Sequence, residues 1–120
     1  MISFCFIGGI IVKTILVLHT GGTISMSEDQ TTGKVSPNSE NPLSKRGHLF
    51  DNVANMIVED FFHLPSPHMT PDKMLLLKNR IQQAIAANEA DGIVITHGTD
   101  TLEETAYFLD LTLKTTIPIV

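Results

Sequence analysis

The sequence has 120 residues, enough for one domain at most, and 42% of them are hydrophobic, so the composition favours a folded core over a disordered chain. Thirteen acidic residues against eight Lys and Arg give a formal net charge of −5, and no basic run exceeds Lys45-Arg46, which excludes a nucleic-acid partner bound through its phosphates. A single cysteine, Cys5, excludes a disulfide framework, and the five histidines lack metal-binding spacing, so we expect no metal site.

Residues 1–12 form an apolar extension ahead of the first predicted strand. The extension has no positive charge before its apolar run and no small-residue cleavage site after it, and it is shorter than the roughly 20 residues that span a bilayer. We therefore expect a cytoplasmic protein without a membrane partner. We hypothesise that residues 1–11 are upstream sequence translated from a misplaced start codon, with Val12 at the position of the native initiator.

The first half of the remaining chain is predicted to contain two strands. Thr14–His19 is a continuous apolar run that ends at a pair of glycines, which is typical of a buried parallel strand. Ser25–Asn41 is polar and rich in turn-forming residues, so it is predicted to be a long, lid-like loop. A short helix is expected within Pro42–Asn55, and Met56–Leu64 is the second predicted strand.

The second half is predicted to contain two helices and two strands. Thr70 and Pro71 have the N-cap and first-turn signals of a helix that continues to about Asn88. Its predicted core face consists of Met74, Leu77, Ile81, Ala84 and Ile85. Ile93–Thr96 is the third predicted strand, and Thr101–Glu104 has the capping-box pattern of a second helix. The core face of that helix is predicted to be Leu102, Ala106, Leu109 and Leu113, and a fourth strand is expected at Ile117–Val120.

This alternation of strands and helices predicts an α/β fold, with a mostly parallel sheet and flanking helices. Ligands of such sheets bind beyond the carboxyl ends of the strands, and two motifs occupy those positions here. Thr20–Ile24 (TGGTI) follows the first strand, and His97–Thr101 (HGTDT) follows the third. We expect Thr23, Thr99 and Asp100 to converge on one small ligand.

Each motif also has a purely structural interpretation. The glycines of TGGT suit a tight turn, and the absence of GxGxxG or of a helix directly after Gly22 argues against a nucleotide phosphate. In HGTDT, Thr101 could cap a helix, and the Asp100 carboxylate could interact favourably with the dipole of that helix. His97 could be a core histidine whose ring nitrogens are hydrogen-bonded. Either motif alone leaves these alternatives open.

The residue types in the two motifs suit acyl transfer. A threonine hydroxyl is a weak nucleophile that must lose its proton to a partner, and a carboxylate can orient a base or pair with a substrate ammonium group. Glycines beside the threonines, here Gly22 and Gly98, allow backbone N–H groups to approach a developing oxyanion, so both are candidate substrate-binding positions.

Together the motifs resemble the signature segments of the L-asparaginase family of amidohydrolases. The likeness is carried by Thr20–Ile24 (TGGTI) and by Ile95–Ala106 (ITHGTDTLEETA), which Tyr107–Thr112 continues, and it covers about residues 13–120. This resemblance implies that residues 13–120 form an incomplete N-terminal asparaginase-like α/β domain and that the C-terminal domain of the family is absent from this chain.

The resemblance also implies roles for individual residues. Thr23 resembles the nucleophile that attacks the side-chain amide of asparagine and forms an acyl-enzyme. Thr99 resembles the second active-site threonine, which is linked to a proton relay, and Asp100 resembles the carboxylate that binds the substrate α-ammonium. Ser66, after the second predicted strand, resembles the residue that holds the α-carboxylate. The implied substrate is L-asparagine, with L-glutamine as a second candidate; no cofactor is implied, and the full-length protein is expected to be a homodimer or homotetramer.

The sequence departs from the family pattern in two ways. The relay lysine of the family lies downstream of the second motif, beyond Val120, and Lys114 is predicted to face solvent instead of replacing it. Many bacterial members carry a lid tyrosine, whereas the only tyrosine here is Tyr107, with Gln30 or Thr31 near the lid position. We therefore expect a fragment with weak or absent activity alone and with poor solubility.

Two other functions remain as alternatives. The ammonia-releasing subunit of a glutamyl-tRNA amidotransferase has both motifs but carries an additional N-terminal domain, and the nineteen residues before Thr20 leave no room for one. A non-catalytic remnant or small-ligand binding module is favoured by the missing lysine, while the intact Thr23, Thr99 and Asp100 favour a catalytic protein.

Overall fold

A computed structural model of the chain describes residues 5–7, 10–22, 26–28, 35–37 and 52–120. The strands are β1 Cys5–Ile7, β2 Ile10–Val12, β3 Thr14–Gly21, β4 Met26–Glu28, β5 Val35–Pro37, β6 Asn55–Leu64 and β7 Gly92–Thr96. The helices are α1 Pro71–Ala86 and α2 Leu102–Thr112, and Ser66–His68 forms a single 3-10 turn.

The central sheet has the order β6-β3-β7 and is parallel throughout. Leu16 of β3 is paired with Ile57 of β6 on one side and with Ile93 of β7 on the other. Parallel strands of this kind require crossover connections, and α1 lies between β6 and β7 in the chain. The predicted α/β fold with a mostly parallel sheet is confirmed.

Two antiparallel strand pairs were not predicted from the sequence. β1 pairs with β2 inside the apolar extension, and two glycines separate these apolar runs, which is a hairpin pattern. β4 pairs with β5 inside Ser25–Asn41, so the prediction of an unbroken loop there is wrong at both strands. The remaining residues of that segment lie outside the described part of the chain.

The hydrophobic core lies between one face of the sheet and the two helices. Its buried members are Leu16, Leu18, Leu77, Ile81, Ala84, Ile93 and Leu109. On α1 the predicted face is confirmed: Met74 is buried together with the core members of that helix, and Ile85 packs against them. The 3.6-residue period of an amphipathic helix was therefore a sufficient signal for α1.

The predicted core face of α2 is wrong in part. Leu109 is buried and Leu113 packs against the core, but Leu102 is 44% exposed and Ala106 is exposed as well. Thr105 is buried in their place, and its hydroxyl is 2.9 Å from Nε2 of the His97 ring. This hydrogen bond rotates a polar residue toward the interior, which apolar spacing alone does not indicate.

The helix starts agree with the sequence in position. Thr70 is the N-cap of α1 and accepts a hydrogen bond from the Lys73 N–H at 3.4 Å, as predicted. Thr101 is the N-cap of α2, but its side chain makes no capping hydrogen bond, so the predicted capping box is wrong in its contact. α1 ends at Ala86, two residues before Asn88, which has a φ of 50°.

Other predicted boundaries shift or shrink. The fourth strand is reduced to one parallel bridge between Ile93 and Ile119, supported by a 2.9 Å hydrogen bond from the Val120 N–H to the Ile93 carbonyl. The helix predicted within Pro42–Asn55 falls largely outside the described residues. At the end of this segment residues 52–53 form a turn and β6 begins at residue 55, so the short helix stays a prediction.

A groove of about 460 Å³ lies between α2, the end of β7 and the last residues of the chain. Its apolar lining includes Ile95, Leu102, Leu109, Leu113, Ile117 and Ile119.

In the part of the chain that the structure describes, neither helix has the length and apolarity needed to cross a bilayer.

Candidate active site

Three strand ends meet at one edge of the central sheet. β3 leads into Gly22, β6 ends at Leu64, and β7 ends at Thr96, immediately before the HGTDT loop. The Gly22 N–H donates to the Leu64 carbonyl at 2.9 Å, so the glycine loop is attached directly to the end of the neighbouring strand. The carboxyl edge of a parallel sheet is where α/β folds bind their ligands.

Gly22 and Gly98 bring the two motif loops into contact. Gly22 is buried and has a φ of +87°, which side-chain-bearing residues rarely adopt. A Cβ at this position would lie 2.6 Å from the Gly98 Cα and 2.7 Å from the Gly98 nitrogen. The two backbones can therefore approach this closely because residue 22 lacks a side chain.

Two hydrogen bonds between β3 and β7 hold Thr96 in front of the second motif. The Thr20 hydroxyl donates to the Thr96 carbonyl at 2.8 Å, and the His19 ring is hydrogen-bonded through Nδ1 to the Thr96 hydroxyl. Both His19 and Thr20 are buried. The residue that begins the HGTDT loop is thus fixed through its backbone and through its side chain.

His97 links the second motif to α2. Its Nδ1 lies 2.7 Å from the Gly98 carbonyl, which can only accept, so Nδ1 carries the proton. In the neutral ring, Nε2 then accepts from the Thr105 hydroxyl at 2.9 Å. This is the satisfied structural histidine that one of the sequence interpretations described.

The predicted site residues have different positions. Thr99 and Asp100 are exposed in the turn between β7 and α2, and Gly98 is buried beside them. Ser66 begins the 3-10 turn that follows β6, at the same edge of the sheet. Thr23 lies outside the described residues, as do the lid positions Gln30 and Thr31.

Two further polar residues at this edge, His19 and Thr96, were not singled out from the sequence. Burial of His19 lowers the pKa of its imidazole below the ordinary value of 6.5; the charge of Asp60 opposes this effect, and His63 adds to it. The signal in the sequence was a histidine inside an apolar strand, and Thr96 gave the corresponding signal at the end of β7. Their contact joins residues 77 positions apart, which local patterns do not predict.

The large apolar groove is a neighbour of this site and not its centre. His97 and Thr105 are among its lining residues, whereas Thr99 and Asp100 are not. Within the described ranges, no group of three or more His, Cys, Asp or Glu side chains is placed to hold a metal ion. Lys114 is exposed beyond the end of α2, as predicted, and Tyr107 is exposed on that helix.

Comparison with known proteins gives sequence matches that extend through both motifs. Residues 14–120 match the family model described as asparaginase, N-terminal. L-asparaginase 2 of Bacillus subtilis (strain 168) is 38% identical over 110 residues, which are 88% of this chain and 29% of the relative. Glutaminase-asparaginase of Pseudomonas fluorescens biotype A is 37% identical over 111 residues, which are 88% of this chain and 30% of the relative.

A solved structure gives the same result for the fold. The crystal structure of a probable cytoplasmic L-asparaginase from Campylobacter jejuni superposes with a TM-score of 0.76 at 37% sequence identity. The match covers 89% of this chain and 33% of that chain. This chain therefore spans about a third of the length of the relatives that it matches.

Proposed function

This chain belongs to the asparaginase family, and we propose that it supplies part of the active site of an L-asparagine amidohydrolase. The reaction converts L-asparagine and water into L-aspartate and ammonia. The observation that carries the proposal is the contact between Gly22 and Gly98, because it brings the two motif loops together at the carboxyl edge of the sheet. If either motif were only a structural turn, the fold would not require this close approach.

In the proposed mechanism Thr23 is the nucleophile. Its hydroxyl loses a proton and its oxygen attacks the side-chain amide carbon, the C–N bond breaks, and the nitrogen leaves as ammonia after taking up a proton. The resulting ester between Thr23 and the aspartyl group is then hydrolysed by water. Gly22 contributes through its missing side chain, because its own N–H already donates to the Leu64 carbonyl.

Thr99, Asp100 and Ser66 are proposed to contact the substrate or the proton relay. Thr99 and Asp100 are exposed beside the Gly22–Gly98 contact, where a small ligand could reach them. The Asp100 carboxylate is proposed to pair with the α-ammonium group and Ser66 with the α-carboxylate. L-Glutamine, one methylene longer, is a second candidate substrate, since such a difference is worth only about 1–3 kcal/mol in a pocket.

Residues 13–120 are proposed to be the first part of an N-terminal domain, and the whole protein is proposed to act in the cytoplasm as a homodimer or homotetramer. We also propose that the 120 residues alone hydrolyse asparagine weakly or not at all, because they span about a third of their relatives.

A chimera tests the function. Residues 14–120 replace the matching segment of the Bacillus subtilis L-asparaginase 2, and ammonia release from L-asparagine is measured for the chimera and for Thr23→Ala. We expect the unmodified chimera to turn over and Thr23→Ala to lose about 10³-fold or more of its kcat, since a nucleophile has no substitute in this mechanism. Thr116→Ala, an exposed threonine away from the motifs, is the matched control.

The outcomes separate the alternatives. Turnover retained in Thr23→Ala would show that the nucleophile is misassigned. A folded chimera that binds L-asparagine without turnover would favour the small-ligand binding module, and a folded chimera that neither binds nor hydrolyses it would contradict the proposed function.

A further inference from the structure

A row of polar residues crosses the central sheet directly below the candidate active site. Asp60 of β6, His19 of β3 and Thr96 of β7 occupy the same level of the paired register. Leu18 packs in the core beneath the helices, so the alternation of side chains along a strand places His19 on the opposite face. This row therefore lies outside the hydrophobic core described above.

Packing alone does not account for a histidine at this position. His19 is completely buried, and its Nε2 has no hydrogen-bond partner in the described part of the chain. Val17, two residues earlier on the same face, is also buried and carries no polar group. A buried ring nitrogen without a partner is unfavourable, so the distinguishing contribution of His19 is its bond from Nδ1 to the Thr96 hydroxyl.

Thr96 is where this bond acts on the site. Its carbonyl is held by Thr20, its hydroxyl by His19, and the next residues are His97 and Gly98 of the second motif. The backbones of Gly22 and Gly98 are so close that a Cβ at residue 22 would overlap Gly98. A small rotation at residue 96 would therefore alter the contact between the two loops.

We propose that His19 is a positioning residue: through Thr96 it fixes the start of the His97–Thr101 loop against Gly22. The consequence for catalysis rests on the proposed function, whereas the effect on the loop does not. Among the described residues the His19 ring is hydrogen-bonded to Thr96, and in this proposal it acts by orienting the segment that carries Thr99 and Asp100.

The first test measures amide hydrogen exchange by mass spectrometry on the 120-residue chain, at a concentration low enough to keep it monomeric. His19→Leu removes the ring nitrogen while keeping an apolar side chain, and His19→Asn keeps a polar atom close to the position of Nδ1. We expect His19→Leu to accelerate exchange of the amides of residues 97–101 about tenfold more than the amides of α1, and His19→Asn to restore most of the protection. Val17→Ala is the control for lost packing on the same strand and face.

Two results would overturn the proposal. One is uniform acceleration in His19→Leu that Val17→Ala reproduces, since the role would then be packing. The other is unchanged protection of the loop in Thr96→Val, which replaces the hydroxyl with a methyl group and must reproduce the effect of His19→Leu. Because Thr96→Val is nearly isosteric, it also decides the question if His19→Leu does not fold.

The second test is a double-mutant cycle in the chimera, read out as kcat/KM for L-asparagine. We expect His19→Leu and Thr96→Val each to lower kcat/KM about tenfold and their combination to lower it no further, because both remove the same bond. Additive losses would contradict action through Thr96. If the unmodified chimera is inactive, the proposed function fails, and the exchange measurement still decides whether His19 positions the loop.

Discussion

At the scale of single residues, Gly22 sets how closely the motif loops approach. We predict that Gly22→Ala destabilises the fold by about 1–3 kcal/mol or more, because alanine is strained at a φ of +87° and its Cβ would overlap the Gly98 backbone. Urea unfolding followed by circular dichroism measures this loss.

Gly92→Ala is the matched control for the glycine prediction. The nearest atom to a Cβ at Gly92 is the end of the flexible Ile15 side chain, at 3.3 Å, and its φ lies outside the strained range. We therefore expect it to lose less stability than Gly22→Ala. Equal losses in the two variants would show that the close approach of Gly22 to Gly98 has no special cost.

The buried imidazole of His19 makes the free energy of unfolding depend on pH. Burial lowers the pKa of the folded imidazole below 6.5, with Asp60 acting against the shift and His63 with it, so the unfolded chain takes up this proton first as the pH falls. The contribution of His19 to the free energy of unfolding is therefore intact well above pH 6.5 and is lost progressively below it, at no more than about 1.4 kcal/mol per pH unit.

The measurement compares the original chain with His19→Asn by urea unfolding at about pH 7.5 and about pH 5.5, on either side of the ordinary histidine pKa. The other histidines titrate in both proteins, so the difference between the two pH dependences isolates His19. We expect the asparagine variant to lose less stability on acidification. An identical loss in both proteins would contradict a buried, neutral His19.

At the scale of elements, Arg80 links α1 to the sheet and to the connection that follows the helix. Its guanidinium donates through Nε and Nη2 to the Glu59 carboxylate of β6 and through Nη2 to Glu89 at 2.8 Å. Hydrogen bonding to Glu59 raises the pKa of Arg80, so the group stays charged throughout the working range. The Arg80 side chain is largely buried, at 18% exposure.

We predict that Arg80→Met lowers the free energy of unfolding by about 1.5–3 kcal/mol, since hydrogen bonds to charged groups contribute that much and two carboxylates lose their donor. Arg80→Lys should lose an intermediate amount, because lysine keeps the charge but not the planar fork. Thermal unfolding checks both variants against Gln82→Met, an exposed position on the same helix. A loss in Gln82→Met as large as in Arg80→Met would assign the effect to the helix and not to the ion pairs.

The elements also show which signals a sequence carries. α1 was predicted with its start and its buried face, because Thr70, Pro71 and the spacing of its apolar residues are local features. The buried face of α2 was partly wrong, because Thr105 turns inward to bond His97, a contact made through the fold of the motif loop. Local periodicity thus predicts a helix well until a polar partner from another segment competes for its orientation.

The candidate site likewise combines features that the local sequence predicts with contacts that it does not predict. The motifs and their places at the strand ends followed from the sequence, because a parallel sheet collects its strand ends at one edge. The contact between Gly22 and Gly98 and the bond between His19 and Thr96 did not, since each joins segments about 76 residues apart and depends on the register of β3 with β7. Spacing along the chain carries no information about that register.

At the scale of the whole molecule, the described surface retains large apolar side chains. Tyr107 and Leu111 are 66% and 63% exposed on α2, and their spacing of four residues puts them on one face of the helix. Next to that helix lies the apolar groove of about 460 Å³. Exposed apolar side chains of this kind promote association in water.

We predict that the 120-residue chain associates as its concentration rises and that the double variant Tyr107→Gln, Leu111→Gln associates less, because it removes exposed apolar area without touching the core. Sedimentation velocity over a concentration series measures the change, and urea unfolding should show little loss of stability. Glu103→Gln, an exposed polar position on the same helix, is the control and should leave association unchanged. A chain that stays monomeric over the series, or equal association in the double variant, would show that this helix face does not mediate self-contact.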